Sequence, residues 1–475
     1  MNVNDFVEKV KKKEIDVVKH TKEVIEKVKK INKEFNHFNV ISEELALEQA
    51  KAIADGKVKK GKLLGVPVSI KDCICVKGVE SRAGSKILSG YKPTFNATAV
   101  QRVIDEGAII IGKTSQDAFG FGSFSINVGL GMKIPLNPFD KERTCGGSSG
   151  GSGGITQKAD FVHVSLGEST GGSIECPSSF CGVVGFCPTY GRVSRYGLMD
   201  YANSLDKIGP MAKSVEDAAL MLEIITGYDK KDTTSVDKES EEFTSFLNRS
   251  IKGMKIGLVK ESIGEGITDE VKKEVMALAE KLEAHGAIVK EVSLPITFKY
   301  GIPAYYLIST SEASTNLAKY CGMRYGAEEV LTGGFNEYFT KVRSNNFNAE
   351  SKRRIMLGTF ARMAGYRDAY YIKATKVRTK IIDEYKKSFS KFDCLISPTM
   401  PFVAPRLKDI ERLTPLQNYL ADILTVGPNL AGIPHASVPI GTIDGMPVGI
   451  MIMADHFNES KVIQLGSAIE EINKK

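Results

Sequence analysis

Long apolar runs are missing from this chain, and so are the patterns that mark secreted or zinc-binding proteins. No stretch approaches about eighteen uninterrupted apolar residues, so no transmembrane helix is expected. Residues 1–5 lack the basic-then-apolar pattern of a signal peptide. The 8 cysteines show no paired CxxC spacing of a zinc site. We therefore expect a cytoplasmic protein with buried, reduced thiols, no metal and no membrane contact.

The chain is long and its composition is ordinary. Its 475 residues exceed the usual size of one simple core, which predicts either two domains or one large enzyme sheet. Apolar residues make up 42% and charged residues 25%, proportions that are typical of a soluble globular protein. The net charge of +7 is mild and spread along a lysine-rich chain, so it permits contact with nucleic acid without indicating it.

Strand and helix patterns alternate along the chain. A strand at 255–259, an amphipathic helix over 268–284 and a strand at 287–289 argue for an α/β fold. The apolar run 63–70 ends at Lys71, and Pro67 argues against a central strand there. The other predicted elements are helices within 5–35, 42–54, 214–226, 309–320 and 350–388, strands at 38–41 and 395–398, a polar connection at 228–241, and a hairpin over 436–455 that turns at Asp444-Gly445.

The stretch from Gly146 to Ser173 is expected to form the functional site around which the rest of the chain is organised. Two turns rich in glycine and serine, 146–154 and 167–173, flank a short buried strand over 161–166. Such a composition more often marks a flexible linker. Here an apolar segment begins soon after each turn, and glycine lets backbone approach a ligand closely. The pattern therefore favours a site that presents hydroxyls together with free backbone N–H groups.

Residues 107–114 match the phosphate-loop pattern letter for letter, but we reject that interpretation. In a phosphate loop the residues between the two glycines form the cradle and a strand precedes them. Here those residues are Ala-Ile-Ile-Ile, which predict the strand itself.

Two serines and a lysine can form a relay for nucleophilic attack on a carbonyl. A serine hydroxyl is a weak nucleophile and needs a base within hydrogen-bond reach. In the relay Ser173 attacks, Ser148 passes the proton on, and Lys71 accepts it. Lys71 must then be neutral, so its pKa has to fall from about 10.4 toward neutrality, which burial favours. The expected oxyanion hole consists of the N–H groups of Thr170, Gly171 and Gly172.

A second nucleophile competes with this relay. Residues 147–151 fit the G-x-S-x-G elbow of α/β-hydrolases around Ser149. That mechanism needs a carboxylate and a histidine downstream, and His435 is the histidine in a plausible loop. The polar segment 138–143 offers no strand before the elbow, so we rank this hypothesis below the relay.

Several motifs together resemble the amidase signature family. They are GVPVSIKD at 65–72, GGSSGGSGG at 146–154, GGSI at 171–174 and CGVVG at 181–185. Residues 188–198, PTYGRVSRYGL, are closer still to the branch of A subunits of glutamine-dependent aspartyl/glutamyl-tRNA amidotransferases. The resemblance continues to about residue 434 and covers nearly the whole chain. It implies one α/β domain over 1–475, with a signature core of about 63–222 and a mixed central sheet covered by helices on both faces.

This resemblance also implies roles and partners. Lys71 is the base, Ser148 the bridging serine in a cis peptide, and Ser173 the acylated nucleophile of a glutaminase. The substrate glutamine is held by Tyr305, Arg354 and Asp422. No cofactor belongs to this polypeptide: a B subunit uses ATP and Mg²⁺ to activate a mischarged tRNA, and a C subunit clasps the other two. The alternatives are a stand-alone amidase for small carboxamides and a catalytically silent scaffold protein.

The chain departs from the family pattern close to the expected nucleophile. The family has Asp-Thr-Gly-Gly-Ser-Ile-Arg, whereas this chain has Ser169 and Glu175 at the two charged positions. Cys145 replaces a usual proline and Cys187 a usual lysine. An ion pair beside Ser173 is therefore either lost or rebuilt with another partner of Glu175.

Overall fold

The computed structural model describes residues 1–331 and 333–474, and within them eleven strands form one mixed sheet. The order across the sheet is β1-β3-β2-β4-β6-β5-β10-β11-β9-β7-β8. The strands are β1 (Phe38–Ile41), β2 (Pro67–Lys71), β3 (Ile109–Thr114), β4 (Val164–Ser169), β5 (Val184–Cys187), β6 (Lys207–Ala212), β7 (Lys255–Val259), β8 (Ile288–Val292), β9 (Cys394–Pro398), β10 (His435–Ile443) and β11 (Met446–Met453).

Helices cover both faces of this sheet, as the family resemblance implied. They are α1 (Val3–Lys11), α2 (Val17–Phe35), α3 (Glu43–Ala54), α4 (Thr98–Asp105), α5 (Gly150–Lys158), α6 (Glu175–Cys181), α7 (Val215–Ile225), α8 (Asp269–Ala284), α9 (Pro295–Asn316), α10 (Phe335–Asn346), α11 (Ala349–Arg362), α12 (Lys373–Phe389), α13 (Leu407–Ile410), α14 (Pro415–Leu420), α15 (Val426–Ala431) and α16 (Glu459–Lys474). Among the described residues, no helix is both long and apolar enough to cross a membrane.

Strand β2 is central and fully buried, contrary to the expectation from its proline. It pairs in parallel with β3 on one side and with β4 on the other. Pro67 is its first residue, the position where a missing N–H costs a strand least. Because Ile70 lies opposite Leu166, the carboxyl ends of β2 and β4 meet at one edge of the sheet. That edge carries Lys71 and the segment leading to Ser173.

The first glycine-rich stretch is partly a helix rather than a turn. Residues 150–154 begin α5 and are all buried. A Cβ on Gly151 would lie 2.4 Å from the carbonyl oxygen of His37, and one on Gly150 would lie 2.2 Å from Ser125 Oγ. Glycine is required here because neighbouring chain segments pass within contact distance of the helix backbone. The strand between the two stretches begins at Val164, three residues later than expected, and continues through Gly167.

Two other helical segments differ from the prediction. Helix α9 begins at Pro295 rather than near residue 309, and it continues through Pro303. Sequence reasoning avoids proline inside a helix because proline lacks the N–H for one hydrogen bond. The predicted helix over 350–388 is two helices, α11 and α12, with Gly365 at φ +88° between them.

The rest of the predicted elements are confirmed, including strand β3, which replaces the rejected phosphate loop. Asp444 and Gly445 both have positive φ, 51° and 76°, which is the hairpin turn expected between β10 and β11. The 228–241 connection contains no helix or strand. Strands β7 and β8 follow that connection and still pair into the same sheet. We therefore propose that 1–475 forms one domain rather than two cores divided at the connection.

Candidate active site

Lys71 ends β2 and lies completely inside the protein. Its side chain is 0% exposed, and its Nζ donates a hydrogen bond of 2.7 Å to Ser148 Oγ. Ser148 directly precedes the residue that caps α5, and the Gly147–Ser148 peptide bond is cis. Two of the three residues expected to form the relay are thus in direct contact.

Glu168 contacts the same lysine, which sequence analysis missed. Lys71 Nζ donates to the Glu168 carbonyl oxygen and to Glu168 Oε2, each at 2.8 Å. Together with Ser148 Oγ, these three acceptors can receive all three hydrogens of an ammonium group. The available signal was the position of Glu168, near the end of the buried strand that pairs in parallel with β2. The expectation for Lys71 rested on burial, whereas the site also places the carboxyl group of Glu168 against its Nζ.

Ser173 follows β4 in the loop before α6 and is 7% exposed. The Ser149 N–H donates to the Ser173 carbonyl oxygen at 3.1 Å, which joins the two glycine- and serine-rich segments. Ser173 lines a small cavity, and Gly147, which precedes Ser148, lines the same cavity. The other predicted residues at this cavity are Gly171, Gly172, Tyr305, Arg354 and Asp422.

The expected oxyanion donors fall into two groups. The N–H of Gly172 donates to Ser169 Oγ at 3.2 Å, and the N–H of Ser173 donates to the same oxygen at 2.9 Å. Within the described part of the chain, the N–H groups of Thr170 and Gly171 have no acceptor. Gly172 has φ of +149°, and its Cβ would lie 2.3 Å from Thr425 Oγ1, so only glycine fits there.

Glu175 forms a buried ion pair with His435. The ion pair expected beside Ser173 is therefore not lost, because Glu175 has found another partner. His435 Nε2 contacts Glu175 Oε1, and both side chains are 0% exposed. Ser169 Oγ donates to Glu175 Oε2 at 2.8 Å, and Asn429 Nδ2 donates to Oε1 at 2.8 Å. Burial opposes ionisation, yet His435, with a smaller contribution from Asn429, holds the pKa of Glu175 at about 2. The charge pair is therefore rebuilt with its acidic member on α6, and Ser169 links it to the Ser173 backbone.

This arrangement leaves the competing nucleophile without its base. His435 contacts Glu175 and the Ile433 carbonyl oxygen, and Ser149 is not among its hydrogen-bond partners. Ser149 Oγ instead donates to the carbonyl oxygen of Glu168 at 3.1 Å. The α/β-hydrolase elbow therefore has no geometric support.

One group of side chains could offer ligands to a metal ion. The donor atoms of Glu175, Cys187 and His435 lie within 4.8 Å of one another, and all three residues are buried. Glu175 and His435 already bond each other directly, which accounts for their proximity without an ion.

Arg354 lies in α11 and is buried, so it is not part of a solvated basic face. Its guanidinium lies between four aromatic rings, at 5.2–5.7 Å from their centres: Phe121, Tyr201, Tyr306 and Tyr419. Its Nε donates to Glu350 Oε1 at 2.8 Å and its Nη1 to the Tyr201 hydroxyl at 2.6 Å. Contacts of guanidinium with ring faces and carboxylates fix the plane of its fork, which suits bidentate recognition of another carboxylate.

Asp422 and Tyr305 line the same cavity as Arg354. Asp422 accepts hydrogen bonds from Ser123 Oγ at 2.5 Å and from the Tyr306 hydroxyl at 2.6 Å. Burial raises the pKa of Asp422 to about 6, although these two donors and Arg354 favour its charged form. Tyr305 packs against Gly171, where a Cβ would lie 2.3 Å from Tyr305 Cζ. Ser123 and Tyr306 escaped sequence analysis because neither belongs to a recognisable motif.

Asp422→Asn should change the pH dependence of stability. The pKa of Asp422 is about 6 when folded and 3.8 in its ordinary state, so the folded protein holds this proton more tightly. Wild-type stability therefore falls as pH rises through 6, while the variant has no such loss. Between pH 5 and pH 7 the free energy of unfolding of the variant, relative to wild type, should rise by about 1 kcal/mol.

Urea unfolding of both proteins at the two pH values measures this difference. Asp409→Asn removes an exposed carboxylate and serves as the matched control. A constant gap between wild type and Asp422→Asn would contradict the burial of an ionisable Asp422.

Comparison with known proteins places this geometry in a family. The amidase family model matches residues 19–463. The A subunit of the glutamyl-tRNA(Gln) amidotransferase of Thermoanaerobacter pseudethanolicus is 44% identical over 477 residues, covering 100% of this chain and 96% of the relative. Its counterpart from Koribacter versatilis is 48% identical over 442 residues, covering 92% and 91%. The crystal structure of the counterpart from Thermotoga maritima is 38% identical and superposes with a TM-score of 0.75 over 90% of this chain and 91% of that chain. The chain therefore belongs to the amidase signature family.

Proposed function

We propose that this chain is the glutaminase component of a tRNA-dependent amidotransferase. Ser173 attacks the side-chain carboxamide carbon of glutamine, Ser148 takes the hydroxyl proton, and Lys71 receives it from Ser148. An acyl-enzyme forms on Ser173 and ammonia is released. The observation that carries this proposal is the 2.7 Å contact between Lys71 Nζ and Ser148 Oγ, in a chain whose relatives are amidotransferase A subunits.

The N–H groups of Thr170 and Gly171, with that of Gly172, stabilise the oxyanion in this mechanism. The first two have no acceptor within the described residues, so they remain free to donate to substrate. The N–H of Gly172 meets Ser169 Oγ at 3.2 Å, a long contact that a developing oxyanion can displace. Each donor of this kind typically lowers the barrier by roughly 3 kcal/mol.

Three residues that line the cavity suit the amino-acid end of glutamine. Arg354 holds the α-carboxylate, Asp422 pairs with the α-ammonium, and Tyr305 packs beside them. Opposite charges and a nucleophile that line one cavity favour a zwitterionic amino acid with a terminal carboxamide. The same cavity lining by Ser173, Arg354 and Asp422 supports this orientation.

In the proposed assembly the ammonia passes to a B subunit, which uses ATP and Mg²⁺ to activate mischarged tRNA, and a C subunit clasps this chain to it. Neither ATP nor Mg²⁺ is assigned to this chain, and the assembly acts in the cytoplasm. A surface that suits a protein partner is present. The exposed side chains of Met356, Leu357, Phe360 and Met363 lie on or just after α11, and the Phe360 ring contacts the ring of Tyr366 at 4.6 Å.

Ser173→Ala should abolish release of ammonia from glutamine by the purified assembly, because no hydroxyl remains to form the acyl-enzyme. Ser149→Ala is the matched control in the adjoining segment and should keep most of the activity, since it removes only one hydrogen bond to the Glu168 carbonyl. Ammonia and glutamate are measured together. If Ser149→Ala is the inactive variant and Ser173→Ala the active one, the nucleophile is misassigned.

Arg354→Met should separate recognition of glutamine from hydrolysis of amides. Methionine fills the aromatic surroundings without the guanidinium, so kcat/KM for glutamine should fall by about 10- to 100-fold. Hydrolysis of butanamide, which has no α-carboxylate, should change little. Arg353→Ala, at the adjacent half-exposed arginine, controls for loss of positive charge. Equal losses on both substrates would favour a stand-alone amidase of small carboxamides.

A further inference from the structure

The carboxylate of Glu168 contacts Lys71, the residue that the proposed mechanism needs as a base. Lys71 Nζ lies 2.8 Å from Glu168 Oε2, and the two side chains are 0% and 3% exposed. Water therefore does not screen this pair, and the ammonium–carboxylate form is electrostatically strong. An ammonium whose hydrogens all point at acceptors has no lone pair to offer to Ser148. The relay works from this resting state only when a second group takes a proton from Lys71.

We propose that Glu168 is that group, so that the proton released by Ser173 is balanced by one that comes to rest on the Glu168 carboxylate. This inference rests on the proposed function and adds a fourth member to its relay. Glu168 acts through Lys71 and does not touch the substrate. The chain of contacts runs from Ser148 Oγ to Lys71 Nζ at 2.7 Å and from Lys71 Nζ to Glu168 Oε2 at 2.8 Å.

Three proton transfers accompany the attack of Ser173 on the carboxamide. A proton leaves Lys71 Nζ for Glu168 Oε2, which breaks an N–H bond and forms an O–H bond. The freed lone pair on Nζ takes the proton of Ser148 Oγ, and Ser148 Oγ takes that of Ser173 Oγ. The electron pair of Ser173 Oγ forms the bond to the carboxamide carbon, and the carbonyl π pair moves to oxygen. When the C–N bond breaks, the proton returns from Glu168 through Lys71 and Ser148 to nitrogen, and ammonia leaves.

The contacts of the other carboxyl oxygen of Glu168, Oε1, indicate which neighbouring carboxyl group carries a proton. Thr170 Oγ1 lies 2.8 Å from Glu168 Oε1 and 2.8 Å from Asp206 Oδ1. A hydroxyl has a single hydrogen, so one of these two carboxyl groups must donate to Thr170 rather than accept from it. Burial, with the negative charge of Glu168, raises the pKa of Asp206 well above its usual range. Asp206 is therefore the neutral acid, and Glu168 is the anion that is ready to accept a proton.

Other titratable groups also face this centre. Cys73 follows β2, Asp117 follows β3, and Asp206 precedes β6, while Lys113 lies on β3 beside β2. Lys113 Nζ is occupied by the Asp72 carbonyl at 3.2 Å and by Ser81 Oγ at 2.8 Å. Asp117 accepts N–H donors from Ser125 at 3.0 Å and Asn127 at 2.8 Å. Burial raises the pKa of the Cys73 thiol, so it stays neutral. Glu168 is the carboxylate among these groups that bonds to Lys71.

The test is the pH dependence of kcat/KM for glutamine in wild type, Glu168→Gln and Glu168→Asp, each with its accompanying subunits. If the ion pair is the active state, wild type gains activity as the pair loses its first proton. The Glu168→Gln variant should instead become active only when Lys71 loses a proton to solvent. The ascending limb of Glu168→Gln should therefore move to higher pH, with about 100-fold lower activity at pH 7 and recovery in alkali. Glu168→Asp keeps a carboxylate and should restore activity on the acid side.

A shift of the Glu168→Gln limb to lower pH would overturn the inference, because Glu168 would then only hold Lys71 in its inactive charged form. An unchanged limb would equally overturn it. A wild type that hydrolyses no glutamine at any pH would instead contradict the proposed function. A second measurement needs no variant: the wild-type midpoint for butanamide, which has no α-ammonium for Asp422 to bind, should barely move with temperature, since carboxylic acids ionise with little enthalpy. A midpoint that falls clearly on warming indicates that Lys71 alone titrates, and would also overturn the inference.

Discussion

The complete burial of a lysine side chain is the constraint on which the rest of this structure depends. Lys71 is 0% exposed, and an isolated ammonium in such a place would cost several kcal/mol of stability. The fold offsets this cost by placing β4 parallel to β2, so that Glu168 and its carbonyl oxygen reach Nζ together. The buried sheet edge holds the lysine against Ser148, and the same strand leads directly to the Ser173 loop.

A second buried ion pair lies on the far side of that loop. Glu168 precedes Ser173 by five residues and Glu175 follows it by two, and each carboxylate has a buried basic partner. Ser169 Oγ accepts hydrogen bonds from the N–H groups of Gly172 and Ser173 and donates one to Glu175. The Ser173 backbone is thus held between two acidic residues, each of which has a buried basic partner. Removing one partner of such a pair leaves the other charge buried alone, which is typically costly.

Sequence reasoning found the parts of this site that local pattern determines. Lys71 ends an apolar run, and the serines lie in glycine-rich segments, so both signals are local. It missed Glu168 because a carboxylate inside a buried strand has no motif, and it missed the partnership of Glu175 with His435 because 260 residues separate them. The helix predicted at 309–320 begins instead at Pro295, because the folded protein accommodates Pro303, a residue that opposes helix formation in isolation. The turn predicted at 146–154 is helical from Gly150 onward, and its glycines are explained by close packing, which the sequence does not display.

The central claim is that Ser173 carries the acyl group, and that Lys71 accepts the hydroxyl proton of Ser173 through Ser148. Rapid acid quenching of the enzyme during turnover of glutamine, followed by peptide mass mapping, tests this claim most directly. The account predicts a γ-glutamyl ester on the peptide that contains Ser173, absent when glutamine is omitted. An ester on Ser149, or a chain that never acquires the acyl group while ammonia is released, would contradict the account.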